Sequence, residues 1–224
     1  MFKHEPIDLG YGDLVADTKS TGRTYRTPDG KQYPSITTVL SLLSREAIQA
    51  WRARVGEEEA NKISRQASGR GTAVHDLLER YVDNDPEFDK GIMPNIMQSF
   101  YDVRKQLDER LSLVYAQEAP LYSEHLGVAG RVDCVGVWDG KNSIIDYKTS
   151  RKVKKKEWIS SYFMQCAAYA IMWEERTGTP ITQLVVLIAV DDNEPQVFIE
   201  HRDNWVGPLR DAITNYRREK MFRG

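Results

Sequence analysis

Apolar positions along the 224-residue chain follow two different periods, and the change between them divides the sequence. Residues 1–20 show little patterning and are expected to be irregular. The segment "RTYRTPDGKQYPS" (23–35) places aromatic residues and threonines on either side of Pro-Asp-Gly, which predicts a short hairpin. From Ser35, a suitable helix cap, the pattern becomes helical in two or three pieces up to Gln66. The glycines of "SGRG" predict a break, with a new helix over 69–82 that presents Val74, Leu77, Leu78 and Tyr81 on one face. A further helix is expected over 93–111.

Beyond residue 111 the period shortens. "SLVYAQEAPLYSE" (112–124), "GVAGRVDCVGVW" (127–138) and "NSIIDYKTS" (142–150) are rich in β-branched and aromatic residues and read as three strands. A helix over about 156–176 follows, with Trp158, Tyr162, Cys166, Tyr169 and Trp173 as its apolar stripe. "ITQLVVLIAV" (181–190) and "PQVFIE" (195–200) read as strands, and a terminal helix closes the chain. This order predicts a single α/β domain over 1–224, with a hairpin and helical lobe at 1–68 and a core at 69–224.

Composition narrows the class only slightly. Hydrophobic residues at 41% and charged residues at 29% fit a globular protein, and a net charge of -2 excludes a polybasic chain overall. The two cysteines, Cys134 and Cys166, form no CxxC pair, which argues against a disulfide framework, a zinc knuckle or a four-cysteine cluster. With no apolar run at the start and no membrane-length apolar segment, a cytoplasmic protein without membrane association is expected.

The chemistry concentrates around a turn. Asp139-Gly140 is a strong two-residue hairpin signal between the second and third strands. With those two residues as the turn, Trp138 pairs with Lys141 and the register brings Asp133 opposite Asp146, side chains on one face. Directly opposed like charges destabilise a sheet, and Asp is a poor strand residue. A divalent cation is the simplest compensation, Mg²⁺ or Mn²⁺ being suited to carboxylate oxygens. Lys148 shares the face and adds a positive charge beside the metal. An isolated Asp-x-Lys is usually a surface pair. Two aspartates and a lysine converging from an independently predicted turn instead match phosphodiester hydrolysis, in which a metal acidifies water and a cation stabilises phosphoryl charge.

"GRVD", followed after twelve residues by "DYK", resembles the PD-(D/E)xK nuclease superfamily, in particular its RecB-like exonuclease branch, to which mitochondrial and phage exonucleases are similar. The resemblance covers roughly residues 35–176. It implies a restriction-endonuclease-like αβββαβ core, a mixed sheet flanked by helices. It also implies that His75 of "GRGTAVHDLLE" is a metal ligand with Asp133 and Asp146, and that the Tyr147 backbone carbonyl is a further one. Gln165 and Tyr169 of "QCAAY" match the branch's Q-x-x-x-Y, and Glu118 of "AQEAP" its acid in the preceding strand. Departures exist. Val132 stands where the name-giving proline would be, and the cysteines that hold an iron–sulfur cluster in some relatives are missing, so no cluster is expected. No helicase phosphate loop is present.

Other residues are weighed for substrate contact. "RKVKKK" holds five basic residues in six, and in isolation it would be a solvated loop. Next to a phosphodiester-cutting site, Arg151, Lys152, Lys154, Lys155 and Lys156 are candidates to grip a DNA backbone. Arg70, between glycines at a predicted helix start, is a candidate phosphate contact. Trp51, with Arg52 and Arg54, is a candidate stacking platform, although aromatics at helical spacing are more often core. His4, His125 and His201 lack any such context.

The sequence thus predicts a Mg²⁺- or Mn²⁺-dependent deoxyribonuclease, an exonuclease acting on DNA ends or single strands in replication, recombination or repair. The resemblance points to a phage-type enzyme working beside replication or recombination proteins. The rival readings are a structure-specific or restriction-like endonuclease of the same superfamily and a non-catalytic DNA-binding module. The second would be expected to lose Asp146 or Lys148.

Overall fold

The structure, a computed structural model, describes residues 1–223, and for Asp102 and Arg223 the backbone alone. The strands are β1 (Lys3–His4), β2 (Val15–Lys19), β3 (Gly22–Arg26), β4 (Gln32–Pro34), β5 (Leu111–Ser123), β6 (Val128–Trp138), β7 (Lys141–Ser150), β8 (Gln183–Val190) and β9 (Gln196–His201). The helices are α1 (Ile36–Leu40), α2 (Arg45–Val55), α3 (Glu57–Val82), α4 (Pro94–Arg110), α5 (Ser160–Thr177) and α6 (Asp203–Arg223).

A six-stranded sheet of order β1-β5-β6-β7-β8-β9 forms the centre. Strands β5, β6 and β7 run as an antiparallel meander, and β7 pairs with β8 in parallel. Parallel neighbours need a crossover, and α5 supplies it. Every residue of β8 is buried, as suits an interior strand covered on both faces. On one face Ile144 and Val186 pack with Ile36 of α1, Phe163 and Trp173 of α5 and Leu209 of α6. On the other, Ile145, Tyr147 and Leu187 pack with Leu77 and Leu78 of α3 and Phe100 and Leu107 of α4. This is the mixed sheet flanked by helices that the sequence predicts, with helices, three strands, helix and strands in the expected order, consistent with a restriction-endonuclease-like core. No helix among the described residues is long and apolar enough to cross a membrane.

Three expectations need correction. Residues 1–20 are not wholly irregular: β1 adds in parallel to β5, and β2 joins β3 and β4 in a three-stranded sheet. Neither strand carries an alternating pattern, because β1 is two residues long and β2 is almost wholly exposed. The break at the glycines of "SGRG" does not occur, since α3 runs unbroken for 26 residues. Gly69 and Gly71 therefore sit mid-helix, where glycine costs about 1 kcal/mol against alanine, and the length and packing of α3 absorb that. The predicted boundary at 68/69 falls inside this helix. Finally, Trp158 is not part of the α5 stripe. It ends a 3₁₀ turn (Lys156–Trp158) before the helix and is 62% exposed, while Cys166, Tyr169 and Trp173 are buried as expected.

Ser35 caps α1, its hydroxyl accepting from the Thr38 N–H at 3.0 Å. That anchors the three-stranded sheet and α1 beside the end of β6, where Ser35 bridges Ala129.

Candidate active site

The site begins at the β6–β7 turn. Asp139 and Gly140 have φ of 50° and 75°, the left-handed pair that a type I′ turn requires. The ladder then runs Trp138 with Lys141 through to Cys134 with Ile145, the register predicted from the sequence. It stops one pair short of Asp133 and Asp146. There the two strands part, and the Asp133 carboxylate takes over as acceptor, receiving the Tyr147 N–H on Oδ2 at 2.7 Å. The N–H and C=O of a strand residue leave on the same edge, so the Tyr147 carbonyl also faces this gap.

Around the gap, His75, Glu118 and Asp133 bring one potential ligand atom each within 4.8 Å of one another. His75 arrives from α3, with Nδ1 3.6 Å from Asp133 Oδ1 and its ring edge-on to that of Tyr147 at 6.1 Å. Glu118 reaches the group through a backbone kink within β5, where its φ is +45°. A non-glycine residue held in that region within a strand is the kind of strain that clusters at functional sites. Burial, reinforced by the carboxylates of Asp133 and Glu79, pushes the Glu118 carboxyl up to about 7.

Asp146 lies deeper, 1% exposed, and forms an ion pair with Lys148. Neither of its oxygens accepts a hydrogen bond of normal geometry among the described residues. Burial raises its pKa and Asp133 adds to the effect, against the pull of Lys148. Burial also opposes the charge on Lys148, but Asp146 and Asp133 overcome it and hold the ammonium above the usual lysine range. The Lys148 ammonium lies 5.2 Å over the Tyr162 ring of α5, which favours its charged form. The two aspartates therefore play different parts: Asp133 belongs to the His75–Glu118 group, while Asp146 is engaged with Lys148 beside it.

Gln165 and Tyr169 line the same cleft, one helical turn apart on α5, with Gln165 Nε2 donating to the Tyr169 hydroxyl at 3.4 Å. Gly130 of β6 makes room for that ring, since a Cβ there would sit 2.7 Å from it. The cleft has a volume of about 420 Å³. Its other walls hold residues that sequence reasoning missed, among them Arg23, Asp76, Glu79 and Arg131. Glu79 follows His75 by four residues on α3, a same-face spacing that could have flagged it. Arg131 donates to the Glu118 carbonyl and pairs with Asp13.

The proposed substrate contacts fare unevenly. Arg70 is not at a helix start; it lies mid-α3, where it pairs with Asp191 and donates to Ser99 Oγ at 3.0 Å. Its charge is thus engaged, and it lines a second cleft rather than this one. Lys156 pairs with Glu200. Among the described residues no carboxylate pairs with Arg151, Lys152, Lys154 or Lys155, which follow β7 out of the site. Trp51 is half-buried on α2, and neighbouring Arg52 is tied to Glu57 and Asn61.

The donors suit a hard divalent cation: carboxylate oxygens, one imidazole, and beside them a buried aspartate paired with the Lys148 ammonium.

Comparisons with known proteins bear on the family. The family model of the PD-(D/E)XK nuclease superfamily matches residues 49–221. Human mitochondrial genome maintenance exonuclease 1 is 27% identical over 176 residues, covering 72% of this chain and 50% of the relative, so the chain spans about half the length of that protein. An exonuclease candidate from Eubacterium rectale superposes with a TM-score of 0.47 at 14% identity, over 66% of each chain.

Proposed function

The chain belongs to the PD-(D/E)XK nuclease superfamily, and from that premise we propose that it is a Mg²⁺- or Mn²⁺-dependent deoxyribonuclease that degrades DNA from an end or as a single strand. The observation that carries this reading is the buried ion pair of Asp146 with Lys148 next to the His75–Glu118–Asp133 group. His75, Asp133 and Asp146, with Glu118 and the Tyr147 carbonyl, would hold the cation. When bound, it supplies Lewis acidity at the phosphoryl oxygens and lowers the pKa of the attacking water.

The chain's own residues do the rest. The Tyr147 N–H fixes the Asp133 carboxylate so that its other oxygen turns toward His75. Asp146 and the Tyr162 ring keep Lys148 charged, which readies its ammonium to orient water or to neutralise charge developing on the phosphate. Gln165 and Tyr169 shape the wall against which the scissile nucleotide rests. The basic residues 151–155 hold the strand by its phosphates.

The exonuclease assignment is supported by the human relative's name, and the fitting process is replication, recombination or repair of DNA, as in a phage-type enzyme. Hydrolysis of end-labelled linear DNA compared with covalently closed circles tests it. Linear substrate should be consumed with Mg²⁺ or Mn²⁺ and circles spared. Cutting of circles would make it an endonuclease, and binding without hydrolysis a DNA-binding module.

A further inference from the structure

The indole of Trp158 is 62% exposed at the end of the loop that leaves β7, an unusual position for a large aromatic side chain in a charged segment. The Lys155 ammonium lies 5.3 Å over its ring. Arg151, Lys152 and Lys154, like Lys155, lack a carboxylate partner among the described residues. Four residues further on, Tyr162 carries the Lys148 ammonium on its face. An exposed aromatic face with a cation over it and a basic run beside it in the chain is the combination by which proteins hold single strands, bases stacking on the ring while the cations track the backbone.

We propose that Trp158 is a base-stacking platform that holds a single-stranded substrate beside the basic run that follows the active-site strand β7. The inference rests on the deoxyribonuclease reading and adds a positioning residue to it. Because every unpaired base can present a π-face to the ring, stacking favours single strands over a duplex and is tolerant of sequence. A protein partner seated on the same indole is the competing occupant.

The test uses the full chain in EDTA, so that binding is read without hydrolysis. Fluorescence anisotropy follows a labelled oligothymidylate and a set of oligonucleotides that carry one abasic residue at successive positions. Wild type should show one position at which removing the base weakens binding about tenfold. Trp158→Ala should bind the intact strand about tenfold more weakly and lose that positional sensitivity, with an unchanged salt dependence because the cations remain. Trp158→Phe should restore much of both. Trp158→Ala binding the intact strand like wild type, or retaining the positional sensitivity, overturns the proposal while leaving the nuclease reading intact. So does a loss of self-association or partner binding with DNA affinity unchanged. Failure of wild type to bind single strands at low salt would overturn the proposal, whereas the deoxyribonuclease reading falls only if end-labelled DNA with Mg²⁺ or Mn²⁺ is also left uncut.

Discussion

Replacing Gly130 by alanine probes how the packing of the sheet against α5 sets the shape of the cleft. Gly130 lies in β6 opposite Leu121, and an added Cβ would meet the Tyr169 ring at 2.7 Å and its hydroxyl at 2.9 Å. Carbon atoms in contact settle about 3.5–4.0 Å apart, so the ring must retreat by about 1 Å. Tyr169 is 2% exposed and packed into the core on that face, which leaves it no free direction. Overpacking of this kind costs about 1–3 kcal/mol. For a chain of this size each kcal/mol lowers Tm by about 2–4 °C. The same displacement pulls the tyrosine hydroxyl from Gln165 and shifts the wall of the cleft. A misplacement of about 1 Å in a positioning group costs on the order of 100-fold in rate. Urea unfolding and nuclease rate are measured for Gly130→Ala, Tyr169→Leu and the double variant. The alanine should destabilise the wild-type background by about 1–3 kcal/mol and much less where leucine has replaced the ring. Equal costs in both backgrounds, or none in either, would refute the packing explanation.

Lys148→Met should destabilise the metal-free protein by about 3–5 kcal/mol, because it strands the buried Asp146 charge. Adding Asp146→Asn to it should recover part of that loss in urea unfolding, while each variant lacks nuclease activity. Arg110 holds Asp139 below its usual pKa, so the pair contributes stability above the unfolded value near 3.8 and loses it as pH falls through the lower folded value. Asp139→Asn keeps a residue tolerant of the left-handed turn and should cost about 0.5–1 kcal/mol at pH 7, since the carboxylate is 41% exposed. Unfolding from pH 7 to 2 should show the difference from wild type vanishing at the acid end; a constant difference would assign the cost to the turn instead. Activity on single strands should fall steeply with added salt, and less steeply once Lys152 and Lys155 are both changed to Ala.

How much could be read in advance follows from where each residue's constraint lies. The Asp139-Gly140 turn is encoded in two adjacent residues, so it fixed the register of β6 and β7 and with it the approach of Asp133 to Asp146. Ser35 was legible for the same reason, its bond reaching only to Thr38. Strand β1 was not, because its two residues carry no pattern and are held by β5 and by His4, whose Nε2 meets the Val82 carbonyl at 2.8 Å. The glycines of α3 misled for a tertiary reason, since a 26-residue helix packed against α2, α4 and β7 overrides local propensity. At Glu118 a left-handed backbone interrupts the strand's alternation, and no period-based reading foresees it. The parting of β6 and β7 past Cys134 was equally hidden: alternation placed both aspartates on one face, whereas the structure turns Asp133 into the gap between the strands and leaves Asp146 with Lys148.

The central claim is that His75, Glu118, Asp133 and Asp146 together form a seat for one divalent cation. Anomalous diffraction from crystals soaked in Mn²⁺ tests it most directly. A peak is expected within coordination distance of His75 and Asp133, and its loss in Asp133→Asn crystals. A fully active enzyme whose only peaks lie elsewhere would contradict it.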